Sequence, residues 1–221
     1  MRSATLLLVT KIPRICGVIL AAGASFRMGR DKALLPWPPM QAENSPQHGT
    51  FLSAAIVRLK GHTESVVVVA GNNARAIQAV VSENAAVLRV NSAPELGQFS
   101  SLKIGLQEAR NRGCDAVIIA PVDRPPVAEE MIVHLRTAFL AAINDGYWAA
   151  IPEFEGRHGH PVMVGSALID ELLGAPLTAT ARDIIHAHED RVLYVPVDDP
   201  AVVLNVNTWE EYQRLSTRQL R

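Results

Sequence analysis

The sequence is short of cysteine, of net charge and of long apolar runs, and each shortage removes a class of protein. Its two cysteines, Cys16 and Cys114, are too few for a disulfide framework or a thiolate zinc site. They are expected to be reduced, buried small side chains. Lys and Arg number 21 against 22 Asp and Glu, a formal net charge of −1. Nucleic-acid affinity rests on clustered cations, so this balance and the lack of a basic stripe argue against a nucleic-acid partner. No run approaches the ~18 consecutive apolar residues of a membrane span. Leu6–Val9 is shorter than the roughly 7–15-residue core of a signal peptide, and Lys11 and Arg14 interrupt the stretch after it. The expectation is a soluble, cytoplasmic protein with no membrane partner. Residues 1–14 read as an N-terminal extension and 15–221 as one domain, with no flexible linker or internal repeat.

What remains is an ordinary globular composition, 48% hydrophobic and 19% charged over 221 residues. A chain of this size can bury roughly 70% of its unfolded surface without a covalent staple. Ile15–Leu20, Val66–Ala70, Val87–Val90 and Val117–Ala120 are short Val- and Ile-rich runs, apolar on both faces, as in a parallel sheet covered by helices. Helical stretches alternate with them at Phe51–Lys60, Ala74–Val81, Ser101–Arg112 and Glu129–Asn144. In the last, Met131, Ile132, Leu135, Phe139 and Leu140 form one stripe. The alternation predicts an α/β sandwich of Rossmann-like type. Further on, Trp148–Ile151 and Pro161–Val164 read as strands around a polar loop, Pro152–His160. Ala167–Leu173 and Ala181–His188 read as helices, Val192–Val197 and Val202–Val206 as strands, and Trp209–Leu220 as a closing helix. The Pro36–Gly49 segment reads as a surface loop.

The stretch Gly17–Lys32, GVILAAGASFRMGRDK, carries the most chemistry. A buried strand runs into a turn of small residues, where a ligand can lie against the backbone and successive N–H groups can face an anion. Arg27 and Lys32 set two cations beside it, and a helix beginning after the turn would add its positive end. The spacing is neither a Walker A loop, since five residues separate Gly23 from Gly29, nor GxGxxG. Asp123 leaves a buried strand just before Pro125 and Pro126. It can hold Mg²⁺ beside phosphate oxygens or simply cap a turn. Asn205 and Asn207 can be metal ligands or the cap of the helix near Trp209, with Thr208 as a further cap. His158 and His160 form an H-x-H pair without further ligands at metal spacing.

LAAGASFRMGRDK resembles the LAAGxSxRMGxxK signature of the MobA-like nucleotidyltransferases, most of all their molybdenum cofactor cytidylyltransferase branch. NSAPELGQFSSL (Asn91–Leu102), PVDRPPV (Pro121–Val127), RHGHP (Arg157–Pro161) and LNVNTWEEY (Leu204–Tyr212) are similar to further family segments in the same order. The resemblance spans about residues 15 to 215. It implies a three-layer α/β/α fold of the nucleotide-diphospho-sugar transferase type with a mostly parallel sheet, and a nucleotide at the sheet's C-terminal edge. Ala21, Ala22 and Gly23 would then line the base and ribose, with Leu20 and Ser25 also binding the nucleotide and Gly97, Ser100 and Ser101 facing the base. Arg27 and Lys32 would hold the triphosphate, and both count with Asp123 as catalytic. Asp123, Asn205 and Asn207 would hold Mg²⁺, or Mn²⁺ in its place. Gly159, His160 and Arg182 would meet the acceptor.

By the same resemblance, Ala22 favours CTP over GTP, and the acceptor is a phosphate-bearing molybdopterin, with a molybdoenzyme or its maturation chaperone as a further partner. Another acceptor (a sugar or polyol phosphate), GTP use, and a non-catalytic nucleotide-binding module stay open. Three departures bear on this: amides at Asn205 and Asn207 where the family has aspartates, a shortened motif at Thr178–Arg182, and the Pro38–Gly49 insertion.

Overall fold

A computed structural model describes residues 13–23, 28–39 and 49–217. Ser25 and Arg27, most of the 38–49 insertion, residues 1–12 of the expected extension and the last four residues lie outside the described residues. Ile15–Ala21 forms β1, buried along its whole length. Pro36–Trp37 (β2) and Gly49–Thr50 (β3) pair as a small ribbon. Phe51–Lys60 (α1) comes next, opened by a reciprocal cap in which Thr50 Oγ1 accepts from Ser53 N–H and Ser53 Oγ accepts from Thr50 N–H. Ser65–Ala70 (β4), Ala74–Glu83 (α2), Val87–Val90 (β5), Gln98–Asn111 (α3) and Ala116–Pro121 (β6) complete the first half.

The second half holds Glu129–Ala142 (α4), Ala149–Phe154 (β7), Arg157–His158 (β8), Val162–Gly165 (β9), Ser166–Gly174 (α5), Ala181–Ala187 (α6), Val192–Pro196 (β10) and Trp209–Thr217 (α7).

The main sheet runs β10-β7-β9-β6-β1-β4-β5, with β8 hairpinned onto β7. β1 pairs in parallel with both β4 and β6, while β9 runs antiparallel between β6 and β7. Side chains alternate across a strand, so β1 feeds two cores. Ile15 and Ile19 pack among residues of α1, α2 and α4. Cys16, Val18 and Leu20 pack among residues of α3, α5 and α6. Burying a side chain such as Phe139 or Leu106 contributes about 1.5–3 kcal/mol, and such residues lie on both faces. This is the α/β sandwich that the alternating pattern predicts, in the three-layer α/β/α form that the resemblance implies.

Three expectations are corrected. Cys16 and Cys114 are a disulfide pair, with Cα atoms 5.9 Å apart and 98 residues between them in sequence. Parallel pairing of β1 with β6 brings them together, since Cys16 lies opposite Val117. Val202–Val206 is not a strand. Pro200–Val203 is a 3-10 turn capped by Asp199, whose carboxylate accepts from Ala201 N–H. Its apolar residues are buried by packing instead: Val202 in the α1/α4 core and Val206 in a third cluster with Met28, Phe51 and Tyr212. Part of the expected 152–160 loop is structured, as β7 runs on to Phe154 and turns back through β8.

Candidate active site

Strand pairing fixes the address of the site. Leu20 lies opposite Pro121 and Ala21 opposite Ala70, so β1, β4 and β6 end together. The segments leaving β1 and β6, with the start of α3, bound a cavity of about 200 Å³ lined by Leu20, Ala22, Gly23, Lys32, Ser101 and Asp123, among others. Lys32 and Asp123, 91 positions apart by their numbering, thus meet on one rim. Gly97 completes the wall at the start of α3 with φ +92° and ψ 176°, a region essentially closed to residues with a Cβ. Among the described residues, no α-helix begins between Gly23 and α1. Lys32 instead sits in a 3-10 turn, Lys32–Leu34, capped by Asp31. The helix start that faces the cavity is that of α3, through Gly97 and Gln98.

Polar side chains hold this rim together. Asn91 is buried and donates to Ser100 Oγ at 2.8 Å and Ser101 Oγ at 2.9 Å, while accepting from Ala93 N–H at 2.9 Å. Ser100 in turn donates to Gly97 O. Ser101 faces the cavity; Ser100 is one of its supports. Ala21 is buried in the core, and its carbonyl accepts from Asn73 Nδ2. Lys32 Nζ donates to Asn207 Oδ1 at 3.0 Å. Val206 N–H donates to the backbone carbonyl of Asp123 at 2.8 Å, so the 205–207 segment is tied to the Asp123 backbone. Asn207 and Thr208 N–H both donate to Glu211, and Thr208 Oγ1 accepts from Glu211 N–H. Asn207 therefore joins the lysine and also shares in the entry to α7. Asn205 is exposed.

Arg124, next to Asp123, donates to the carbonyls of Val202 and Leu204. Burial lowers its pKa, against the pull of Asp123 and with the repulsion of Arg157.

A second cavity, of about 440 Å³, adjoins the first through Leu20, Gly97, Gln98 and Pro121, which line both. His160 and Arg182 line it together with Leu102, Leu172, Leu177 and Ile185. His160 Nδ1 is shielded from solvent with no hydrogen-bond partner. Burial, and then the charge of Arg124, push this imidazole down to about 3, so it is neutral near pH 7. Gly159 lines neither cavity. A Cβ there would come within 2.6 Å of Val202 O, so this glycine permits close packing against the 3-10 turn. Among the described residues, no group of three or more His, Cys, Asp or Glu side chains is arranged to hold a metal ion. None of their helices is long and apolar enough to cross a membrane.

Two contributors escaped the sequence reading. Asn73 ties the end of β1 to Asp31 through its side-chain amide. Gly71 sits so close to the first turn that a Cβ would lie 2.9 Å from Ala22 O and 3.1 Å from Pro94 Cβ. A glycine just after a buried strand is the one available signal for such a close approach.

Comparison with known proteins bears on the family and the fold. A probable molybdenum cofactor guanylyltransferase of Rhodopirellula baltica is 33% identical over 128 residues, 58% of this chain and 56% of that protein. The molybdenum cofactor guanylyltransferase of Xanthomonas euvesicatoria is 28% identical over 90% of this chain and 93% of its own. The nicotine blue oxidoreductase of Paenarthrobacter nicotinovorans is 28% identical over 93% and 98%. The molybdenum cofactor cytidylyltransferase of Escherichia coli is 20% identical over 88% and 92%. The crystal structure of Rv0371c from Mycobacterium tuberculosis shares the fold, with TM-score 0.77 and 24% identity over 95% of this chain and 100% of that one. Residues 17–192 match the model of the MobA-like NTP transferase domain. The chain belongs to the MobA-like NTP transferase family of nucleotidyltransferases.

Proposed function

We propose that the protein transfers a nucleoside monophosphate from a nucleoside triphosphate to the phosphate of a molybdopterin-type acceptor, releasing pyrophosphate. The observation that carries this reading is the shared cavity of Lys32 and Asp123, opening into a second cavity large enough for another substrate. The names of the relatives support the acceptor class. Ala22 on the cavity wall favours CTP, because its methyl crowds the space a purine would take. GTP is the competing nucleotide, since relatives of both specificities match over most of the chain.

The donors available for a divalent ion fit Mg²⁺ or Mn²⁺, which prefer hard oxygen ligands and keep several waters. Asp123 would be the principal ligand, with Asn207 beside it and the exposed Asn205 next in the chain. When bound, the ion supplies charge neutralisation between two anionic reactants. The remaining work belongs to the chain. Lys32 stabilises charge growing on the departing pyrophosphate. Arg27 is proposed to share this task, and Ser25 to bind the nucleotide beside Gly23. The loop from Gly97 to Ser101 orients the nucleoside. His160 and Arg182 orient the acceptor so that its phosphate oxygen faces the α-phosphorus in line. That oxygen is already anionic, so no general base is needed.

The test is incubation with molybdopterin, or its metal-loaded form, and CTP, GTP or UTP in Mg²⁺ or Mn²⁺, followed by mass analysis. A cytidylylated acceptor is expected. A guanylylated product would overturn the nucleotide assignment alone. Product only on a sugar or polyol phosphate would overturn the acceptor. Nucleotide binding without pyrophosphate would overturn transfer itself, as would an oxidoreductase reaction of the kind named for the Paenarthrobacter relative.

A further inference from the structure

Asn73 stands at the start of α2, where a short polar side chain usually accepts from the helix's first free amides. It makes no such bond. Its amide serves three other segments. Nδ2 donates to the carbonyl of Ala21 at 2.9 Å and to Asp31 Oδ2 at 2.7 Å, and Oδ1 accepts from Gly71 N–H at 3.1 Å. Asp31 carries the connection onward, because its Oδ1 accepts from Ala33 N–H at 3.0 Å and so fixes the turn that begins with Lys32. The side chain is thus spent on the end of β1, the Gly71 turn that leaves β4 and the base of the Lys32 turn; the first and last of these continue into residues that line the nucleotide cavity, and the Gly71 turn lies behind them. Gly71 is packed against Ala22 with no room for a Cβ, so movement of the Gly71 turn displaces the turn that follows β1.

We propose that Asn73 is a positioning residue for the transfer reaction, holding the Ala21–Gly23 turn and the Lys32 turn at the separation that one nucleoside triphosphate spans. This rests on the function proposed above. Asn73 does not line the cavity, and Lys32 has its own bond to Asn207, which does not involve Asn73. The effect therefore belongs to the geometry of the two turns rather than to loss of a charge.

The test compares four variants with the wild type: Asn73→Ala, Asn73→Asp, Asp31→Asn and the double variant Asn73→Asp with Asp31→Asn. Asn73→Ala is expected to lower kcat by ~10- to 100-fold, the scale of a misplacement of about 1 Å, with Tm nearly unchanged. Asn73→Asp sets two carboxylates against each other and is expected to be the worst. The double variant restores a donor–acceptor pair between positions 31 and 73 but leaves the Ala21 carbonyl without its donor, and it is expected to recover part of the rate lost in Asn73→Asp. A purely structural role would move Tm and kcat together. Near-normal kcat in Asn73→Ala, loss of rate that tracks Tm, or no recovery in the double variant would each overturn the proposal. If the wild type itself releases no pyrophosphate, the proposed function fails, and the same proteins are ranked by calorimetric Kd for CTP and GTP. The same order is expected there, and equal Kd values across the set would overturn the role of Asn73.

Discussion

The two halves of the active-site groove are built in opposite ways. The half bearing Lys32 and Asp123 is tied by side-chain hydrogen bonds: Asn91 to Ser100 and Ser101, Asn73 to Ala21 and Asp31, and Asn207 to Lys32. The half bearing Arg182 is walled by Leu102, Leu172, Leu177 and Ile185, with Leu177 and Arg182 exposed at its mouth. A triphosphate is the same in every nucleotide and has to be held in one geometry, which rigid polar ties provide. An apolar wall with one exposed cation fixes less and, on the proposed function, would leave acceptor choice to shape. Substitutions in the first half should therefore cost rate or stability, and those in the second should cost acceptor affinity.

The largest break in that comparison is expected at Asp123. Asp123→Ala should lower turnover by ~10²–10³-fold, the loss typical of removing one electrostatic stabiliser, with Tm unchanged in a thermal scan. Next comes Asn91→Ala. It leaves the buried Ser100 and Ser101 without their shared donor, at a cost of about 1–3 kcal/mol. A lowered Tm and a raised nucleotide KM together would show the tie; a raised KM alone would contradict its structural part.

His160 sharpens the comparison through pH. Its folded-state pKa is about 3 against 6.5 for a free imidazole, so the unfolded chain takes up this proton first as pH falls. Stability is then lost as pH drops from about 6.5 towards 3. His160→Gln should flatten the slope of Tm against pH in that window, and an unchanged slope would show the histidine to be free to ionise. Arg182→Ala should have the smallest effect. An exposed cation is screened, so the acceptor KM should rise roughly fivefold, with nucleotide KM and Tm unchanged. A larger change in nucleotide KM than in acceptor KM would erase the distinction between the halves.

The fold was legible wherever local pattern and tertiary environment agree. The apolar runs of β1, β4 and β6 are short, rich in Val and Ile and buried on both faces, as strands of a covered sheet are. The stripe on Glu129–Asn144 is the buried face of α4, with its last two residues in a subsequent 3-10 turn. Legibility fails where pairing decides. Val202–Val206 is as apolar as a strand, yet Pro200 and the Asp199 cap start a 3-10 turn, and packing buries its residues without a strand partner. The joining of Cys16 to Cys114 depends on the register of β1 with β6, which composition does not carry.

At the site, motif order placed Lys32 and Asp123 on one rim because both come after β-strands of a parallel sheet. It could not reveal Asn73, whose partners are 42 and 52 residues away and whose type suits a helix cap equally well. Nor could it separate Ser101, which faces the cavity, from Ser100, which supports the loop. Gly159 looked like part of the acceptor pocket, whereas what requires a glycine there is the backbone of Val202.

On the proposed function, Lys32 and Asp123 bracket one triphosphate on the rim of the sheet. Pyrophosphate release from CTP or GTP with molybdopterin and Mg²⁺ decides whether they do, comparing wild type with Asp123→Ala at matched fold and concentration. Release by the wild type and loss of nearly all of it in the variant are expected. Release at near wild-type rate from Asp123→Ala would overturn the bracketing role.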